Sequence, residues 1–163
     1  MKKSIIIIFT IIQTLFVNAQ VSWEISSGGI SSSVAINEIV VSGDDLFACG
    51  TYMNVTTYKS EVRLYKSTDN GSSWSQQSTN GLGLITGNTI FNHNGILFIS
   101  GAVSLSQEYA LFKSIDKGKS WKRTSDGISS SVAINEIAVS GGDLFACGTY
   151  MDATTYKSEV RLY

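Results

Sequence analysis

Short runs rich in β-branched and aromatic residues, separated by clusters of Gly, Asn, Asp and Ser, fill the chain from about residue 30 onward. Such runs predict strands joined by tight turns, and hence an all-β protein. The runs come in sets. A first strand is expected at Val34–Val41, Gly87–Asn92 and Val132–Val139. A tight turn follows each, at Ser42-Gly43-Asp44, His93-Asn94-Gly95 and Ser140-Gly141-Gly142. A second strand is expected at Leu46–Thr51, Ile96–Gly101 and Leu144–Thr149. A third is expected at Glu61–Ser67, Tyr109–Ser114 and Glu159–Tyr163, and a fourth begins at each of Trp23, Trp74 and Trp121.

The sets are repeats of one unit. Residues 30–65 recur at 128–163 with only four differences: Val40/Ala138, Asp44/Gly142, Asn54/Asp152 and Val55/Ala153. A diverged unit lies between them, because Leu97-Phe98-Ile99-Ser100-Gly101 matches Leu46-Phe47-Ala48-Cys49-Gly50. Successive tryptophans are 51 and 47 residues apart. Four short strands at that period are the signature of a β-propeller blade. The expected blades are 30–76, 82–123 and 128–163, with 21–26 as an outer strand.

Ser67-Thr68-Asp69-Asn70-Gly71-Ser72-Ser73-Trp74 and Ser114-Ile115-Asp116-Lys117-Gly118-Lys119-Ser120-Trp121 are in register with each other. Both resemble the Asp-box, the Ser-x-Asp-x-Gly-x-Thr/Ser-Trp hairpin of sialidase-type (BNR-repeat) propellers. The resemblance spans two motifs and, through their flanking strands, nearly all of the chain after the leader. It implies about three four-stranded antiparallel blades, and a structural role for Ser67, Asp69, Gly71, Trp74, Ser114, Asp116, Gly118 and Trp121. The residue types fit that role. An Asp side chain accepts from backbone N–H groups of its own turn, Gly permits positive φ, and Trp brings a large apolar area.

Lys2 and Lys3 followed by the apolar run Ile5–Phe16 and Val17-Asn18-Ala19 are expected to be a signal peptide cleaved after Ala19. The run is too short to be a stable membrane anchor. Export to a secreted, periplasmic or cell-surface location is therefore expected. Twelve basic and thirteen acidic residues leave the charge balanced, which gives no electrostatic reason to expect a nucleic-acid partner.

Strands that alternate in direction put the first and third turns of each blade on one face and the second turns, with the blade-to-blade loops, on the other. The Asp-box hairpins occupy the first face. The candidate ligand face is the other, where Tyr52, Tyr58, Tyr150 and Tyr156 either cover their own blade edges or stack on a sugar or anchor a protein. No catalytic, metal or cofactor site is expected. A sialidase needs three converging arginines, whereas Arg63 and Arg161 are one repeated position and only Arg123 is added. Glu38/Glu136, Glu61/Glu159 and Asp45/Asp143 recur with the repeat, which points to structure rather than to a unique active site. His93 is the only histidine. Cys49 and Cys147 are equivalent positions in separated repeats, so they are expected to be buried free thiols, not a disulfide.

These residues predict an exported non-catalytic propeller that binds or scaffolds a protein or glycan partner. The alternative is the N-terminal part of a sialidase-like or other glycoside hydrolase with catalytic residues beyond Tyr163. Propellers have about four to eight blades. The sequence reaches Tyr163 just short of a third Asp-box, so a longer propeller is expected. The other arrangement is a homo-oligomer that closes the ring, with 21–26 of one copy completing a blade of the next.

Overall fold

The protein is described here by a computed structural model covering residues 24–83, 86–87, 89–103, 108–152 and 158–163. Every regular element among them is a strand. The first sheet is β1 (Val34–Ser42), β2 (Asp45–Asn54), β3 (Lys59–Ser67) and β4 (Ser75–Gln77), in that order. The second is β5 (Thr89–His93), β6 (Ile96–Ala102), β7 (Tyr109–Ser114) and β8 (Lys122–Arg123). The third holds β9 (Val132–Ser140), β10 (Asp143–Met151) and β11 (Ser158–Leu162). All pairings are antiparallel between neighbours in sequence, as short connections favour.

The twin segments have the same register. Cys49 pairs with Leu64 as Cys147 pairs with Leu162. Each first strand carries a bulge at its asparagine, Asn37 in β1 and Asn135 in β9. A bulge re-aims the side chain of the extra residue. Asn37 Nδ2 thereby reaches the Gly87 carbonyl of the second sheet, whereas Asn135 Nδ2 bonds within its own sheet to Thr149 Oγ1 at 3.0 Å.

The expected outer strand at 21–26 is described only from Glu24, and 24–27 carry no strand. Trp23 lies outside the described residues. The second strands run further than the sequence pattern suggests. β2 continues to Asn54, so Tyr52 belongs to a strand and pairs with Glu61. The connecting turn is then only Val55–Tyr58. Asn54 shapes it by accepting the Thr56 and Thr57 N–H groups on its side chain, at 3.0 Å each.

The core lies between the sheets. Phe47, Val62 and Leu64 of the first sheet and Ile90, Leu97 and Phe112 of the second share one buried cluster. Phe98 and Leu111 of the second sheet meet Val132, Ile134 and Ile137 of the third in another. Polar side chains reinforce both seams. The Glu38 carboxylate accepts the Thr89 hydroxyl and the Ile90 N–H, and Ser100 Oγ donates to the Ile134 carbonyl at 2.7 Å.

Candidate functional site

Two hairpins with the common pattern Ser-x-Asp-x-Gly-x-Ser-Trp join the third and fourth strands of the first two sheets. In the first, Ser67 Oγ donates to Asp69 Oδ1 at 2.7 Å and accepts the Gly71 N–H at 2.9 Å. Asp69 also accepts the Ser73 N–H at 2.9 Å and the Ser73 hydroxyl at 2.7 Å. In the second, Asp116 accepts from the Ser114 hydroxyl, the Ser120 N–H and the Ser120 hydroxyl at 2.7, 2.9 and 2.5 Å. Both carboxyls are held down at about 2, chiefly by the hydroxyl and backbone N–H of Ser73 in one turn and of Ser120 in the other, since bonds to the charged form favour it. These carboxylates serve their own turns.

The chain reverses at Asn70-Gly71 and Lys117-Gly118, where all four residues have positive φ. Glycine adopts that conformation without strain, and Asn nearly so, while Lys117 is an exception for a long side chain. Trp74 and Trp121 are 7 % and 8 % exposed, and their indole N–H groups have no hydrogen-bond partner among the described residues.

Each tryptophan is also gripped from the connection that leads into its own sheet. A turn closes with Ile30 N–H to Ser27 O at 2.9 Å, and the Gly28 carbonyl accepts the Trp74 N–H at 2.7 Å. Gly29, at φ +91°, lies so close that a Cβ would stand 2.0 Å from the Trp74 carbonyl oxygen. Gly81, at φ +87°, is in the same place against Trp121, with 2.8 Å to its carbonyl oxygen. The signal for these glycines in the sequence is slight: each stands just before an apolar residue, Ile30 or Leu82.

On the opposite face, two of the four tyrosines expected there have a defined setting. The Arg63 guanidinium carbon lies 4.8 Å from the centre of the Tyr52 ring, and Arg63 bonds Glu61 at 2.7 Å. The twin stack is Arg161 at 3.8 Å over Tyr150, with Glu159 at 3.7 Å. Cation–π contact and ion pair together fix a planar guanidinium at the blade edge. Tyr58 is separate: it is 84 % exposed and has positive φ in its turn. Tyr156 lies outside the described residues.

The remaining reactive groups are dispersed. The thiols of Cys49 and Cys147 are free. Burial pushes the Cys49 thiol up to about 12, and the nearby Glu38 carboxylate adds to the effect. His93 Nε2 is 3.1 Å from its neighbour Asn94. Among the described residues no three His, Cys, Asp or Glu side chains are grouped to hold a metal ion.

No protein-family model and no curated protein matches this chain. Solved structures do. A sialidase of Trypanosoma rangeli matches 72 % of this chain at a TM-score of 0.52 and 14 % identity, over 21 % of its own length. The Bacillus subtilis arabinanase Arb43A is matched over 77 % of this chain and 54 % of its own length, at 20 % identity and a TM-score of 0.40. The chain thus spans about a fifth of the sialidase and about half of the arabinanase. At these identities the sialidase likeness concerns the fold alone. Together with the three stacked antiparallel sheets, it makes the chain an all-β protein of β-propeller type with an open ring.

Proposed function

We propose that this protein is an exported, non-catalytic propeller module that binds a protein or glycan partner on the face opposite its Asp-box hairpins. The observation that carries this reading is the recurrence of one surface stack, Tyr52–Arg63–Glu61 and Tyr150–Arg161–Glu159, in the first and third blades. A guanidinium held over an aromatic ring and paired with a carboxylate is pre-organised, so it loses little entropy when it donates to a further acceptor. Two copies of one such group suit a partner with repeated acceptors, either a glycan or an acidic protein segment. In this reading the Asp-box hairpins are the framework, and residues 1–19 direct export and are removed.

The test is a glycan array and a pull-down with the exported chain, alongside an Arg63→Ala/Arg161→Ala variant. Selective retention of a ligand by the parent, weakened in the double variant, is the expected result. Two empty screens would count against binding on this face. Release of sugar from a sialoside or an arabinan would replace this reading with the glycosidase alternative.

A further inference from the structure

The middle sheet is flanked on both sides. Phe112 packs in its seam with the first sheet and Leu111 in its seam with the third. Its inner strand β5 lies against β1 and β9, so its fourth strand β8 forms the outer edge. The hairpin that carries β8 differs in charge from its counterpart in the first sheet. Residues 113–123 hold five basic side chains, Lys113, Lys117, Lys119, Lys122 and Arg123, against one carboxylate, Asp116. That carboxylate is bound within its own turn. Residues 66–76 hold one basic side chain, Lys66, and one acidic, Asp69. The chain as a whole has a net charge of -1, so the excess is local.

Position for position, Asn70, Ser72, Ser75 and Gln76 of the first hairpin become Lys117, Lys119, Lys122 and Arg123 in the second. Two of these changes work against the fold. Lys122 stands directly opposite Lys113, where Ser75 stands opposite Lys66, and like charges so placed repel across a strand pair. Lys66 also has the Asp45 carboxylate at 2.8 Å, whereas the residue in Asp45's place on the middle sheet is Ile96. Lys117 adopts φ +59°, which costs a lysine more than the asparagine it replaces. Guarding an exposed edge does not account for the charges. β4 is an edge of the same kind and carries Ser75, Gln76 and Gln77. Local choices that cost stability without a structural return point to function.

Lys119, Lys122 and Arg123 are exposed, and Lys117 is 67 % exposed beside Asp45 at 3.7 Å. Successive residues of a strand project to opposite faces. Lys122 and Lys113 therefore lie on one side of the edge and Arg123 on the other, with Lys117 and Lys119 in the turn. We propose that this hairpin is a docking edge for an acidic polysaccharide, which runs over the turn and along β8 and sets an anionic group between Lys113 and Lys122. A thin flexible chain reaches cations on both sides of an edge, whereas a membrane surface or a DNA duplex reaches one side. The hairpin's only aromatic ring, Trp121, is 8 % exposed, so it offers no platform for single-stranded bases. β8 is two residues long, too short an edge for an acidic peptide to add as a strand. The surface is separate from the tyrosine–arginine stacks, and the inference does not depend on them.

Calorimetric titration with dextran sulfate at low salt, with neutral dextran as the control, tests it. Dextran sulfate is expected to bind despite the chain's negative net charge, and more weakly as salt is added. Dextran is expected not to bind. The variant Lys117→Asn/Lys119→Ser/Lys122→Ser/Arg123→Gln carries the first hairpin's residues, which already fit this turn. It should melt no lower than the parent, because the opposed lysines are gone, and should bind dextran sulfate at least about tenfold more weakly. No binding by the parent, or equal binding by the variant, would overturn the proposal. So would tighter binding, at matched charge, of poly-glutamate, duplex DNA or phosphatidylglycerol vesicles, each of which would name a different partner.

Discussion

The carboxylate of Glu38, in the first strand of the first sheet, accepts the backbone N–H of Ile90, in the first strand of the second, at 2.9 Å. The same oxygen accepts the Thr89 hydroxyl. Its twin Glu136 is exposed. A hydrogen bond to a charged group contributes about 1.5–3 kcal/mol, and an exposed surface change stays within about 0.5 kcal/mol. Glu38→Ala is therefore expected to lower stability by about 1.5–3 kcal/mol, and Glu136→Ala to change it little. Urea denaturation of the two variants compares them directly, and equal losses would contradict a seam role for Glu38.

Leu64 and Leu162 occupy identical sequence and opposite environments, at 3 % and 80 % exposure. Truncating a packed leucine costs about 2–5 kcal/mol through lost transfer energy and the cavity left behind. Leu64→Ala is expected to fall in that range and Leu162→Ala well below it. Thermal melts of both variants decide the point, and a large loss at Leu162 would mean that its face is covered in solution.

The two turn carboxyls set an acid limit. Asp69 and Asp116 are held at about 2 against an ordinary value of 3.8. For a group whose pKa is lowered on folding, the stabilisation is present above the unfolded value and lost as pH falls through the folded one. Stability should hold above about pH 4 and decline between about 4 and 2. Asp45, lowered first by its hydrogen bond to Lys66, works in the same direction. In the Asp69→Asn/Asp116→Asn variant the melting temperature should start lower at neutral pH and fall less steeply over that window. A pH slope identical to the parent's would sink the assignment.

Cys49 is fully buried and its thiol is pushed up to about 12, whereas Cys147 is partly exposed. Only the thiolate reacts. Iodoacetamide at about pH 8 is expected to alkylate Cys147 and spare Cys49 until the chain is unfolded. Peptide mass spectrometry reads the two sites separately, and early modification of Cys49 would show that the first seam opens readily.

Much of the architecture was legible in the chain itself, because a strand is a local pattern. β7 at Tyr109–Ser114 falls where its residues predict it, and β1, β6 and β9 lie within two residues of their predicted bounds. The Ser-x-Asp-x-Gly-x-Ser-Trp turns are local too: each hydrogen bond that defines them joins residues no more than four apart. The ligand face was less legible. The pattern placed Tyr52 in a loop, but pairing with Glu61 draws it into β2 beneath Arg63. Arg63 is eleven residues away in sequence and becomes a neighbour only once the hairpin forms.

What the sequence determined by itself was therefore the unit: its strands, its turns and the residues able to pin them. What only the tertiary structure decided was which units have neighbours. Val62 and Val160 are the same residue in the same strand of the same repeat, yet one is 3 % exposed and the other 81 %. Burial is set by the sheet stacked against a face, and stacking is a relation between distant segments that no local pattern carries.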